Sequence, residues 1–405
     1  MRMRPSAAAV GLAMVLAGSV YAREPAEPAR DLSKLPLLVR DESSGDWVVD
    51  RFVGNTTAGP VLFQGPATEM GGAGRTTSFT VAPDGRAYFT VGEGVVEVSA
   101  KGVARLAVSK QEWRADGLDD MYTKGQLLAW NPKEDCLYLW GKRSIRKLVE
   151  KPDGSHKLAT VVGDPERKGV ADGPADKARL NSVGHLCINS RGTVFFYDGP
   201  KRYGTHLRKF ENGEVTTITD KMRTGKLVDG PIKDACFNFI GLGGQNSVGE
   251  NDDVLYIADH WNFAMRRIDL KAGTVTTVAG MRRPPKNSPL VKRFGNHADG
   301  PALTHASSNS GCTSAIYDAV HYTVWYGGPD EVRLRWLRLK DGWVKTIVGS
   351  RPGKWDLNSF GSPADRVKMT WCWVVAVDKQ GRAYAANGAS PTGYWRLYNR
   401  KEVAK

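Results

Sequence analysis

Short apolar and aromatic runs recur along the whole chain, each ended after a few positions by glycine, asparagine or aspartate. The aromatic, branched runs at 87–91, 136–140, 193–197, 254–258, 322–326 and 383–386 have the composition of pleated strands. A second kind of run alternates basic and apolar residues, as in Ser144-Ile145-Arg146-Lys147-Leu148, His206-Leu207-Arg208-Lys209-Phe210, Ala264-Met265-Arg266-Arg267-Ile268 and Val332-Arg333-Leu334-Arg335-Trp336. Alternation of period two predicts that the apolar members lie between sheets and the basic members point outward. A third kind, Val215-Thr216-Thr217-Ile218, Val275-Thr276-Thr277-Val278-Ala279-Gly280 or Val344-Lys345-Thr346-Ile347-Val348-Gly349, follows across Asn212-Gly213, Ala272-Gly273 or Asp341-Gly342. Glycine there supplies the positive φ of a tight reversal.

Between these groups the chain repeats a connector. Ala171-Asp172-Gly173-Pro174-Ala175 with Ala178, Asp229-Gly230-Pro231 with Ala235, and Ala298-Asp299-Gly300-Pro301-Ala302 with Ala306 are clear copies. Gly65-Pro66-Ala67, Ala115-Asp116-Gly117 and Ser362-Pro363-Ala364 are weaker ones. Self-similarity at a period of roughly 40–50 residues or more belongs to radial or solenoid arrays, whose units bury their apolar faces on one another. Four β-type runs per unit make the fold class all-β, a six-bladed β-propeller of four-stranded antiparallel blades. The sixth unit lacks a fourth run, because Tyr394-Trp395-Arg396-Leu397-Tyr398 lies almost at the end of the sequence. Trp47-Val48-Val49-Asp50-Arg51-Phe52-Val53-Gly54 has the form of a fourth run and precedes the first connector. It is expected to complete the last blade beside 395–398, closing the ring and removing two exposed sheet edges.

These residues resemble the NHL-repeat family. Asp229-Gly230 through Ala235, Leu255-Tyr256-Ile257-Ala258-Asp259, Asn262, Met265-Arg266-Arg267-Ile268 and Thr277-Val278-Ala279-Gly280 follow that family's repeat closely. The third repeat follows it nearly as well, with Asp172-Gly173, Ala178-Arg179-Leu180-Asn181 and Val194-Phe195-Phe196-Tyr197-Asp198; the first, second and sixth are degenerate. The resemblance spans about residues 47–400. It implies the fold and leaves the activity open, since the family holds interaction modules and enzymes.

Residues 1–22 have the layout of an export signal: Arg2 and Arg4, an apolar stretch over 7–20, and Val20-Tyr21-Ala22 as a small-residue cleavage site. The stretch is too short for a membrane span, so an exported protein, periplasmic or extracellular and without a transmembrane anchor, is expected. Residues 23–46 read as a flexible leader, 47–400 as the propeller and 401–405 as a tail. Loss of Arg2 and Arg4, with no acid in the same segment, lowers the formal charge from +14 to +12. Such a surplus attracts polyanions, which outside the cytoplasm means acidic glycans, anionic lipid or extracellular nucleic acid, not chromosomal DNA; of these an acidic polysaccharide is the expected partner and nucleic acid is not. Five cysteines, Cys136, Cys187, Cys236, Cys312 and Cys372, have no CxxC spacing and fit neither a zinc ribbon nor a complete disulfide framework. They read as small core residues, with one bridge between neighbouring blades left open.

In an up-and-down blade the connection between second and third strands, and that from blade to blade, emerge on one face. Its loops hold Arg167, Lys168, Lys201, Arg202, Lys221, Arg223 and Lys226, and the longest adds Arg282, Arg283, Lys286, Lys292 and Arg293. Converging cations would focus a positive potential on an anionic ligand, and Tyr203, Trp261, Trp355 and Phe360 offer surfaces on which sugar rings stack. This favours a monomeric binding module for an acidic polysaccharide or another protein. The first strand of each blade should line the axial channel, where Arg75, His185, Gln245, Asn246, Asn309 and Trp371 stand out. They fit a small-molecule or metal site, and equally a water-filled pore.

The rival expectation is a metal-assisted lyase or hydrolase working at the channel mouth. A lyase of the wider propeller group holds zinc with histidines from different blades, and His185, His260, His305 and His321 fall in blades three to five, though without its motif. Six-bladed lactonases hold calcium with channel carboxylates and asparagines; Asn238, Asn246 and Asn309 are available here, without an evident axial acid. Zinc and calcium therefore stay open as cofactors, with no metal ligand assigned. No nucleophile elbow, phosphate loop or catalytic carboxylate pair is recognisable.

Overall fold

A computed structural model describes residues 46–54, 64–70, 78–91, 94–115, 128–141, 143–152, 156–199, 205–238, 247–280, 299–303, 314–327, 333–349, 364, 372–387 and 393–403. Six antiparallel blades follow one another, and the first strands of successive blades touch in a closed circle around the axis. Blade 3 is built from Gly184–Ile188, Val194–Asp198, His206–Glu211 and Glu214–Thr219, and blade 4 from Ser247–Val248, Val254–Asp259, Ala264–Asp269 and Thr274–Ala279. In blade 6 the order outward is Cys372–Val377, Ala383–Asn387, Tyr394–Asn399 and then Trp47–Val53. Trp47 stands opposite Asn399 and Val53 opposite Tyr394. The first strand therefore closes the ring as its sequence predicts.

The connectors do more than link blades. Gln64–Pro66, Gly173–Pro174, Gly230–Pro231 and Gly300–Pro301 each add a short fifth strand to the rim of blades 1, 3, 4 and 5. The next N–H, of Ala67, Ala175, Ile232 or Ala302, donates to the carbonyl of Gly102, Gly213, Gly273 or Gly342 in the turn before the rim strand, at 2.7–2.9 Å. The carbonyls of Ala67, Ala175, Ala302 and Ala364 in turn accept from Gly54, Gly163, Gly280 and Gly349, which end the preceding blade. One residue thus staples two blades, which explains why this segment recurs.

The apolar cores lie between blades rather than within a single centre. Phe195, Tyr197, Phe237, Leu255 and Ile257 fill the gap between blades 3 and 4. At the seam, Val53, Phe79, Phe89, Tyr384 and Tyr394 join blade 6 to blade 1. A short helix, Arg400–Val403, follows the last strand. No helix among the described residues is long and apolar enough to cross a membrane.

The outward placement expected for the basic residues of the third strands is corrected. Arg146, Arg208, Arg266 and Arg335 are buried. Both faces of a blade are covered by its neighbours, so period-two alternation here separates two buried faces, and the connector aspartate supplies the counter-charge. Arg208 donates to Asp198 at 2.7 Å and to Asp172 at 2.8 Å; Arg266 repeats this with Asp259 at 2.8 Å and Asp229 at 2.7 Å. Arg335 reaches Asp299 at 3.1 Å. Each connector aspartate also accepts the backbone N–H and hydroxyl of a rim-strand threonine, Thr217, Thr277 or Thr346, at 2.8–3.0 Å. Buried charges paired and hydrogen-bonded in this way are tolerated where lone ones are not.

Candidate functional site

On the long-loop face, blades 3 and 4 are linked by an excursion that no other described connection makes. Arg223–Val228 forms an exposed strand paired with Cys236–Asn238. Against it packs the turn between the second and third strands of blade 4, a single 3₁₀ turn, His260–Asn262. Trp261 in this turn is 48% exposed and Leu227 on the strand 44%; Arg223 and Lys226 of the same strand are also exposed. The result is an aromatic and cationic ledge.

The ledge is fixed from below. Asn262 donates through its amide to the Lys226 carbonyl and to Asp259, both at 2.8 Å. Asp259 accepts the Asn238 N–H at 2.8 Å and is fully buried against Arg266, whose other nitrogen donates to the Val228 carbonyl at 2.8 Å. Burial raises the Asp259 carboxyl above its ordinary value, while the bonds from Asn262, Arg266 and Asn238 oppose that shift. His260 is buried, its ring edge-on to the Trp261 indole at 5.2 Å and 89°. Phe263 reverses the chain in a left-handed conformation, φ 56°. A Cβ on Gly280, φ 102°, would stand 2.1 Å from the Phe263 carbonyl oxygen, so only glycine lets this turn seat. A stacking surface held by buried polar bonds is preorganised, which lowers the ordering cost of binding.

The expected channel set is only partly placed. Arg75, Gln245, Asn246, Asn309 and Trp371 lie outside the described residues, as do Lys201, Arg202, Arg282 and Arg283 of the basic face. So do Tyr203, His305, Trp355 and Phe360. His185 sits in the innermost strand of blade 3 with φ 51°, but it is buried, its ring 5.8 Å from that of Tyr197. His321 lies in the turn between the first two strands of blade 5 and shares a 2.7 Å hydrogen bond with Asp318. His185 and His321 therefore lie at opposite ends of their blades. Among the described residues no group of three or more His, Cys, Asp or Glu is arranged to hold a metal ion.

Cys136, Cys187 and Cys236 are free thiols, Cys372 is buried, and Cys312 lies outside the described residues. Burial pushes the Cys136 thiol up to about 11 and that of Cys187 to about 12. Both stay protonated at neutral pH and are poor nucleophiles.

No protein-family model matches this sequence, and a search of curated proteins finds no match. Solved structures do share the fold. A protein of unknown function from Bacteroides thetaiotaomicron superposes with a TM-score of 0.59 at 14% identity, over 87% of this chain and 76% of that one. Auxiliary nutrient binding proteins from Bacteroides thetaiotaomicron and Bacteroides ovatus give 0.57 and 0.58 at 12% and 14% identity, with the same shares covered. At such identities the likeness concerns the propeller itself.

Proposed function

We propose that this chain is an exported, NHL-like propeller that binds an anionic glycan on the blade 4 ledge. The observation that carries this reading is Trp261, 48% exposed on a turn that Asn262 ties to the exposed strand bearing Arg223 and Lys226. An indole in that position offers a flat apolar surface to a sugar ring, and the two cations supply attraction to its carboxylate or sulfate groups. The net positive charge of the chain works in the same direction. Two of the fold neighbours are auxiliary nutrient binding proteins, and capture of a nutrient polymer outside the cytoplasm is the role this reading gives the protein. Residues 1–22 act in it as the export signal.

Binding to immobilised polygalacturonate, with neutral dextran as control, tests the electrostatic part. Arg223→Glu and Lys226→Glu are each expected to weaken binding by about tenfold at ~50 mM salt, with the gap closing near ~500 mM as screening removes it. Equal retention of the variants and wild type, or equal retention on dextran, would count against the ledge.

A further inference from the structure

At the end of blade 3 the repeat breaks, and a cavity opens at the break. The rim strands of blades 2, 4, 5 and 6 are followed by Gly163, Gly280, Gly349 and Gly54, all with φ between 84° and 102°. After Glu214–Thr219 the corresponding residue is Asp220, which does not take that left-handed backbone. The chain runs on through Lys221, whose ammonium donates to the Lys233 carbonyl, into the exposed Arg223–Val228 strand. A cavity of about 380 Å³ remains, open to solvent and lined by Asp172, Asp220, Lys233, His206, Val170 and Ile218 among others.

The charges in this cavity are unusual. Asp172 is committed to Arg208 and Thr217. Asp220 and Lys233 are exposed, carry opposite charges, and do not pair with each other or, through their charged groups, with any other described residue. The imidazole of His206 is held at Nδ1 by the Thr205 hydroxyl at 2.8 Å, with Nε2 unengaged among the described residues. A lone anion would satisfy Lys233 and be repelled by Asp220; a lone cation would do the reverse. A dipolar ligand satisfies both. The volume is at the small end of ligand pockets and suits a small molecule better than a polymer. The departure from the repeat's own rule builds the Arg223–Val228 strand and leaves this cavity beside it.

We propose that this cavity binds a zwitterionic small molecule of the α-amino acid class, its carboxylate meeting Lys233, its ammonium meeting Asp220, and its side chain resting on Val170 and Ile218. This site is independent of the glycan ledge.

Calorimetry with L-leucine, N-acetyl-L-leucine and L-leucinamide tests the proposal on the full chain. L-leucine is expected to bind, and each blocked derivative to bind at least about tenfold more weakly, the loss of one charge-assisted contact. Asp220→Gly restores the residue that four other blades carry and should fold; Lys233→Ala alters an exposed side chain. Each is expected to lose at least about tenfold in L-leucine affinity while keeping wild-type thermal unfolding. No heat from L-leucine at ~10 mM, equal binding of the blocked derivatives, or wild-type affinity in folded Asp220→Gly would each overturn it. Polygalacturonate binding survives Lys233→Ala, whose exposed side chain lies outside the ledge, so the two sites fail or stand separately.

Discussion

Arg266→Ala is expected to lower the unfolding free energy by about 3–5 kcal/mol, the cost of leaving one partner of a buried ion pair uncompensated. Arg266 is fully buried and joins four acceptors: Asp259, Asp229, and the carbonyls of Cys236 and Val228. Its loss strands the Asp259 carboxylate, also fully buried. Asp259 in turn orients Asn238 and Asn262, so the substitution also loosens the turn that presents Trp261. The control is Asp229→Ala. That side chain is 46% exposed, water replaces much of what it loses, and a cost nearer ~1 kcal/mol is expected. Urea unfolding of both variants checks the contrast, and equal costs would contradict the assignment of Asp259 as the buried partner.

Trp47→Ala is expected to cost about 3–5 kcal/mol, the range for truncating a large buried aromatic residue. Trp47 is 2% exposed and meets three rings of blade 5: His321 at 5.2 Å, Trp325 at 5.4 Å and Trp336 at 5.0 Å. Two of those rings are already positioned, because Asp318 holds His321 at 2.7 Å and the Trp325 indole N–H at 3.1 Å. The gap left by alanine has little means of collapsing. Since Trp47–Val53 is also the rim strand of blade 6, its loosening exposes the edge of Tyr394–Asn399 to pairing with another chain. Thermal unfolding together with light scattering should show a lower midpoint and earlier aggregation. A midpoint within about a degree of wild type would mean that the seam does not limit stability.

The ring was legible because its signals are local and repeated. Turn glycines, the Asp-Gly-Pro connectors and the runs between them count the blades, and the missing partner of Tyr394–Asn399 points to Trp47–Val53. The fate of the third-strand arginines was not legible. Period-two reasoning assumes a wet face, whereas Arg208 and Arg266 lie between two sheets with aspartates arriving from a connector some forty positions away in sequence. His185 was legible as a residue of an innermost strand, but not its left-handed backbone or its contact with the Tyr197 ring. Trp261, Arg223 and Lys226 were visible as candidate loop residues, but not the packing of their two segments, which needs the excursion after blade 3. A trace of that excursion was present: the third repeat ends Ile218-Thr219-Asp220 where the fourth ends Val278-Ala279-Gly280.

Calorimetric titration of a defined galacturonate oligosaccharide into wild type and Trp261→Ala, at matched low salt, bears most directly on the ledge. Trp261 is solvent-facing, so the variant should retain the wild-type circular dichroism and unfolding midpoint. Wild type is expected to bind and the variant to lose at least about tenfold in affinity, as truncation of a central aromatic contact does. Undiminished binding by Trp261→Ala, or no binding by the folded wild type, would contradict the account.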